Sequence, residues 1–397
     1  MSKWRVVKLS DVALKFAMGP FGSNIKAENF TNMGVPVIRG TNLNFFRFVD
    51  GAFVYLTEEK ANQLKSSNCY PGDIVVTHRG TLGQVALIPE GKYPRYVISQ
   101  SGMKVTTNKE LLDNNFLFYF FKSASGQHEL LQHESQVGVP SISNPLTSLK
   151  SVSLKLPPLP EQKAIAAVLS SLDDKIDLLH RQNKTLEAMA ETLFRQWFVV
   201  EAREDWIETS LSKIANFLNG LACQKHPPKN VFDKLPVLKI KELSSGISDY
   251  SDWASNDIKP EYIVDTGDVI FAWSASLMVK IWDGEKCILN QHLFKVTSAN
   301  YPKWFYFMWC KHHLSEFIAI SASHATTMGH IKRGDLDAAM VLLPKDNELQ
   351  IMTMQMTPLL NKQIAISKQI KTLETLRDTL LPKLMSGEVR VNGQGLS

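Results

Sequence analysis

The sequence predicts an α/β (α+β) protein in which two tandem β-rich domains alternate with two long helices forming an antiparallel coiled coil. Three observations predict this pseudo-two-fold internal repeat. The letters KTLE stand at Lys184–Glu187 and again at Lys371–Glu374, in the middle of two long helical runs. The segments ahead of each run match weakly and in the same order. Between the matched segments the loops differ in length and chemistry. The expected order is domain (1–156), helix (157–200), domain (201–343), helix (344–397).

The first helix is expected over Glu161–Phe198, a rod of roughly 57 Å at 1.5 Å per residue. Its apolar positions follow an alternating 4,3 spacing: Ile165, Leu169, Leu172, Ile176, Leu179, Asn183, Leu186, Ala190, Leu193 and Trp197. That is the seam of a coiled coil rather than the broader face of a globular helix. Pro157, Pro158 and Pro160 suit an extended approach and a first helical turn. Asn183, polar within the seam, is expected to set register. A shift of 187 places Met352, Met356, Leu359, Gln363, Ile366, Ile370, Leu373, Arg377, Leu380 and Leu384 on the same template. Here Gln363 and Arg377 interrupt the seam, Pro358 is expected to kink the helix, and Pro382 to end or bend it. So narrow a stripe needs a partner, and the copy supplies one. Two independent surface helices, each packed on its own domain, are the alternative.

Ahead of the helices, "LSDVA" (9–13) pairs with "LSKIA" (211–215), and "PGDIVV" (71–76) with "TGDVIF" (266–271). "VISQSGMKVT" (97–106) pairs with "ILNQHLFKVT" (288–297), sharing Gln100/Gln291 and the triplet KVT. Short β-rich runs with turn residues between them predict small sheets. The aromatic runs NNFLFYFFKS and PKWFYFMWCKHH predict helices whose rings belong to the core. Two loop pairs carry the differences: "THRGTLGQ" (77–84) against "AWSASLMVK" (272–280), and "ESQVGVPSISN" (134–144) against "HATTMGHIKRGD" (324–335). A constant frame with variable polar loops is how binding specificity is placed on a scaffold.

Net charge is +5, concentrated in residues 1–156, where 17 Lys+Arg stand against 11 Asp+Glu. A mildly basic domain suits a polyanionic partner. Residues 201–343 carry 15 against 17, so nucleic-acid binding there needs a local patch. The four cysteines are far apart, which predicts reduced thiols and no zinc site. Cys310 with His312 and His313 is the one metal-like cluster, without convergent partners. No run approaches a membrane span, and MSKWRVVKLSDV lacks a signal-peptide core, so export is not expected. "FAMGPFGSN" (16–24) does not close a strand and open a helix as a phosphate loop must. No catalytic motif is found, so no catalysis is expected from the chain alone.

"LPPLPEQKAIAAVLSSLDDKIDLLHRQNKTLEAMAETLFRQWF" (156–198) resembles the central region of the DNA specificity subunit of type I restriction-modification systems. "GPFGSN" (19–24) and "PGDIVVTHRGTLGQVAL" (71–87) resemble that family's target-recognition domains. The second helix departs from the central one in lacking the PLPEQ opening. The resemblance implies two target-recognition domains, each reading half of a split double-stranded DNA target. It implies that the helices set the spacer and dock two modification (methyltransferase) subunits, with restriction (endonuclease/translocase) subunits joining them. S-adenosylmethionine and ATP with Mg would belong to those partners, leaving no cofactor in this chain. A cytoplasmic site in a bacterium or archaeon is implied as well.

Base reading needs paired donors and acceptors, which Arg, Lys, Gln and Asn supply best. In the first domain the candidates are Ser23, Asn24, Arg39, Thr41, Asn42, His78, Arg79, Thr81, Gln84 and Gln100. In the second they are Lys239, Lys241, Trp273, Ser274, Ser276, Gln291, His292, Thr326, Thr327, His330, Lys332 and Arg333. Any one of them can equally be a solvated or frame-satisfying polar group, and isolated lysines suit phosphate better than bases. Gln100 and Gln291, present in both copies, can serve frame or specificity. Two other classes stay open. A diverged methyltransferase or nuclease would reveal itself by methyl transfer from the isolated chain, and a coiled-coil protein scaffold by binding indifferent to DNA and salt.

Overall fold

The computed structural model describes residues 4–22, 24–43, 47–135, 138–323 and 329–391. Its contacts divide the chain into two compact units, Met1–Asp177 with Leu373–Ser397, and Leu178–Thr372. Both units contain one β-rich domain and one stretch of each long helix.

The two domains have the same topology. In the first, one sheet has the spatial order Ala13–Met18, Gly102–Thr107, Ile74–Thr77, Val85–Leu87, antiparallel throughout. A second sheet has the order Val54–Leu56, Val35–Ile38, Tyr96–Ile98, Asn68–Cys69, with its central pair parallel. In the second domain Asn216–Asn219, Leu293–Thr297, Val269–Ala272 and Met278–Ile281 repeat the first sheet. Trp253–Ser255, Lys234–Leu238, Cys287–Leu289 and Ile263–Val264 repeat the second, again with a parallel centre. An antiparallel ribbon closes each domain, Arg5–Lys8 on Ser153–Leu156 and Ile207–Ser210 on Met340–Leu343. The strand closing each ribbon leads directly into a long helix.

Both aromatic helices are core, as their apolar runs predict. Asn114–Lys122 buries every residue from Phe116 to Phe121, and Lys303–His312 every residue from Trp304 to Cys310. Rings of this size each contribute about 1.5–3 kcal/mol on burial. Asp113 accepts from the Phe116 backbone N–H at 2.9 Å and starts the first of them. The four thiols are all buried. Cys310 lies inside the second core, while His313 bonds Glu316 and the Met340 carbonyl. Among the described residues no cluster of His, Cys, Asp or Glu could hold a metal ion, and no helix is long and apolar enough to cross a membrane.

The central helix runs Leu159–Arg195 and continues as a π-helical turn, Gln196–Val200. Gln162 anchors its start. Its buried amide donates to the carbonyls of Leu111 and Pro157 and accepts from the Asp113 N–H. The C-terminal helix, Asp346–Ser386, passes through both Pro358 and Pro382, so neither ends it. Both prolines are exposed, as are Met354 and Asp378, whose carbonyls lose a donor and can turn to water instead.

The two polar interruptions are matched across the pair. Arg377 donates to Asp173 at 3.0 Å in the first unit. In the second unit Asn183 donates to the Ser367 hydroxyl at 3.0 Å and to the Gln363 carbonyl at 3.4 Å. Within the first unit Glu161 meets Arg390 and Asp173 meets Arg377, so the two helical stretches there run antiparallel. The narrow-seam expectation is corrected at the helix ends. Ile165, Ala166, Leu169, Leu384 and Met385 belong to the first domain's core. Ala190, Phe194, Phe198, Met352, Met356 and Leu360 belong to the second's. Each helix therefore carries a broader apolar face where it meets a domain, because a two-residue stripe cannot also cover an aromatic core.

Candidate nucleic-acid interface

Residues shared by the copies build the frame under the loops. Asp73 and Lys104 form an ion pair of 2.7 Å with side chains 4% and 1% exposed. Asp268 and Lys295 repeat it at 2.8 Å with side chains 24% and 16% exposed. This explains the repeated Gly-Asp turn and the repeated KVT: each lysine crosses its sheet to hold the turn. Trp4 donates its indole N–H to Glu161 at 3.3 Å, and Trp206 does the same to Glu348 at 2.8 Å. Gly19 and Gly220 let the loop after the first sheet strand press on the turn that carries the shared glutamine. A Cβ on Gly19 would stand 1.7 Å from the Ser99 carbonyl oxygen, and one on Gly220 2.3 Å from that of Asn290. Gly19, which opens "GPFGSN", is thus a close-approach position.

Around this frame the variable loops of each domain are bonded to one another. In the first domain the Ile142 N–H donates to the His78 carbonyl and the Gly80 N–H to the Pro140 carbonyl, both at 2.9 Å. In the second the Ile331 N–H donates to the Trp273 carbonyl at 3.0 Å and the Ala275 N–H to the Gly329 carbonyl at 2.8 Å. Arg79 bridges Ser141, and Ser274 bridges His330. The structure therefore joins two loop pairs that the sequence shows only as separate differences.

The candidates in the first domain fall into two groups. Arg79, Arg39, Asn24, Thr41, Thr81 and Gln100 are exposed, and the guanidiniums of Arg39 and Arg79 have no ion-pair partner among the described residues. A Cβ on Gly40 would lie 3.2 Å from Gln84 Oε1, and one on Gly22 2.8 Å from Gln100 Oε1. These contacts put the 39–43 loop beside Gln84 and the glycine loop beside Gln100. Asn42 is corrected to a frame residue. It is 1% exposed, accepts from the Arg39 N–H and donates to the carbonyls of Asp50 and Ala52, leaving nothing for a base. His78 is corrected likewise. Its buried ring donates from Nε2 to the Gln100 carbonyl at 3.2 Å, and burial holds its pKa below the ordinary value, so the ring is neutral. Ser23 lies outside the described residues.

In the second domain Lys241, Ser276, Lys332 and Arg333 are exposed. Lys239 is paired with Asp252, which takes up its charge. Its backbone N–H is capped by Glu242 as that of Arg39 is by Asn42. Trp273 lies on Phe294 with ring centroids 5.6 Å apart and donates to Asn219 Oδ1 at 3.1 Å. Ser274 is buried, its hydroxyl 3.2 Å from His292 Nδ1, and Gln291 Nε2 lies 3.4 Å from His292 Nε2. An amide nitrogen can only donate, so His292 accepts at Nε2 and donates from Nδ1 to the serine. His330 packs edge-on to Trp273 at 6.3 Å. Thr326 and Thr327 lie outside the described residues. Reasoning from sequence missed Asn219, Ser101 and Ser141. The alignable PSI (140–142) and GHI (329–331) of the two loops held the signal for Ser141.

Comparisons with known proteins agree with this duplicated frame. The family model described as the type I restriction modification DNA specificity domain matches residues 1–188 and again 203–375. The type I restriction enzyme MjaIX specificity subunit of Methanocaldococcus jannaschii is 26% identical over 98% of this chain and 94% of its own. The putative MjaX specificity subunit of the same organism is 22% identical, with the same coverage. The crystal structure of the type I restriction-modification S subunit from M. genitalium has a TM-score of 0.59 at 16% identity, over 96% of both chains, which is a likeness of fold.

Proposed function

Because this chain belongs to the type I restriction-modification DNA specificity family, we propose that its two domains read the two halves of a bipartite, asymmetric double-stranded DNA target. The chain is a DNA-recognition subunit that works with other subunits and is not itself an enzyme. One observation carries the bipartite reading. The domains share sheet order, an Asp–Lys ion pair and loop-to-loop hydrogen bonds, yet present an open guanidinium in one and imidazoles packed against an indole in the other. Equal frames with unequal contact chemistry read unequal half-sites.

In this reading the antiparallel helices set the unread spacer, as half-site separation follows from protein geometry in symmetric DNA readers. They also dock two modification (methyltransferase) subunits, to which restriction subunits add. S-adenosylmethionine, ATP and Mg are the cofactors of those partners, and the assembly acts in the cytoplasm of a bacterium or archaeon.

Co-expression with the modification subunit, followed by mapping of methylated positions on genomic DNA, tests the reading. A two-part motif with a spacer of constant length is expected, and methylation without such a motif would overturn it. Arg79→Ala is expected to weaken the first half-site by about 1–3 kcal/mol. A competition assay showing unchanged discrimination would remove Arg79 from base reading. Inserting four residues beside Asn183 should abolish binding to the parental target or change the permitted spacer. Retention of the original spacer and affinity would rule out the ruler role.

A further inference from the structure

We propose that three structurally equivalent positions in each domain, 79, 101 and 141 in the first and 274, 292 and 330 in the second, form one exchangeable specificity triad. The proposal rests on the reading above and names the residues that make the half-sites differ.

The equivalence comes from hydrogen bonds. The N–H of His78 donates to the Ser101 carbonyl, as that of Trp273 does to His292. The loop-to-loop bonds at His78/Ile142 and Trp273/Ile331, and at Gly80/Pro140 and Ala275/Gly329, extend the same register on either side. In both copies the next residue, Gly80 or Ala275, has positive φ, +84° and +56°. An alanine held there is strained and persists only where the surroundings over-determine the turn. The loop backbone is therefore the same device twice.

Residues directly opposite in an antiparallel bridge share a face. Arg79 faces with Ser141 and Ser274 with His330, while the neighbours Ile142 and Ile331 turn into the core. The sizes compensate. The first domain sets one arginine among two serines, and the second sets one serine among two histidines. Ser101 bonds Ser99 and leaves the arginine exposed, whereas His292 bonds Ser274 and covers it. A single Ser274→Arg would collide with the two rings, so the three positions vary as a unit.

An open guanidinium fits the O6 and N7 acceptors of guanine in the major groove. The test uses the full chain with its modification subunit and maps methylated motifs. The triple variant S274R/H292S/H330S is expected to change one base pair of the second half-site to G·C, leaving the first half-site and the spacer as they were. An unchanged second half-site, or loss of methylation, would overturn the triad. Arg79→Lys, at an exposed position, keeps the charge but not the fork. It is expected to relax one position of the first half-site by roughly ten- to a hundred-fold. An unaltered preference there would count equally against the triad. If the parental chain gives no bipartite motif, the half-site reading itself fails, a result distinct from a parental motif that the variants do not shift.

Discussion

Asp73→Ala is expected to destabilise the first domain by about 3–5 kcal/mol, the usual cost of stripping one partner from a buried ion pair. Asp73 accepts from Lys104 at 2.7 Å, from the Tyr70 N–H at 3.0 Å and from the Thr106 hydroxyl. Its loss leaves an ammonium that is 1% exposed with no counter-charge. The paired change Asp73→Ala with Lys104→Met should recover much of the loss, because an apolar pair avoids the unpaired charge. Asp268→Ala is expected to cost less, since water reaches that pair and Lys295 keeps the Ile263 carbonyl at 2.8 Å. Urea midpoints of the four proteins decide it. Equal losses for Asp73→Ala and Asp268→Ala would show that burial does not set the cost.

Asp173→Ala is expected to cost about 2–4 kcal/mol by leaving a buried tyrosine and a half-buried arginine short of a partner. The Tyr119 hydroxyl donates to Asp173 at 2.7 Å from the aromatic helix, and Arg377 donates to it at 3.0 Å from the C-terminal helix. Burial, and then the carboxylate itself, push the Tyr119 phenol above its ordinary range, so it remains a donor at physiological pH. One carboxylate thus ties three helices within the first unit. Asp173→Asn keeps an acceptor for the tyrosine and should lose about half as much. A double-mutant cycle with Arg377→Ala should give a coupling of about 1–3 kcal/mol. Zero coupling would mean that the polar seam pair contributes nothing to helix register.

The legible part of the fold was whatever is written twice. The Gly-Asp turn and KVT hold each other by an ion pair in both copies, and Glu161 and Glu348 each accept from a tryptophan N–H. The helix pair was legible through its apolar spacing. Its polar interruptions were not, since Gln363 and Arg377 look like defects until Asn183, Ser367 and Asp173 stand opposite them. The prolines misled for a related reason: a local rule counts the lost hydrogen bond but cannot see that it falls on a solvated face.

The site was half legible. Residue types that suit base contact could be chosen from the loops, but burial divides them. Asn42 and His78 have the same composition value as Arg39 and Arg79, yet their polar atoms are consumed by backbone groups within the domain. The sequence by itself determined the duplicated order of domain and helix, the family and the absence of catalytic motifs, because periodicity, repetition and motif spacing are properties of the chain alone. Only the tertiary structure decided which polar groups remain available to a partner and which loops join to present them. That depends on hydrogen bonds between residues more than 50 apart, such as His78 with Ile142, which no local pattern encodes.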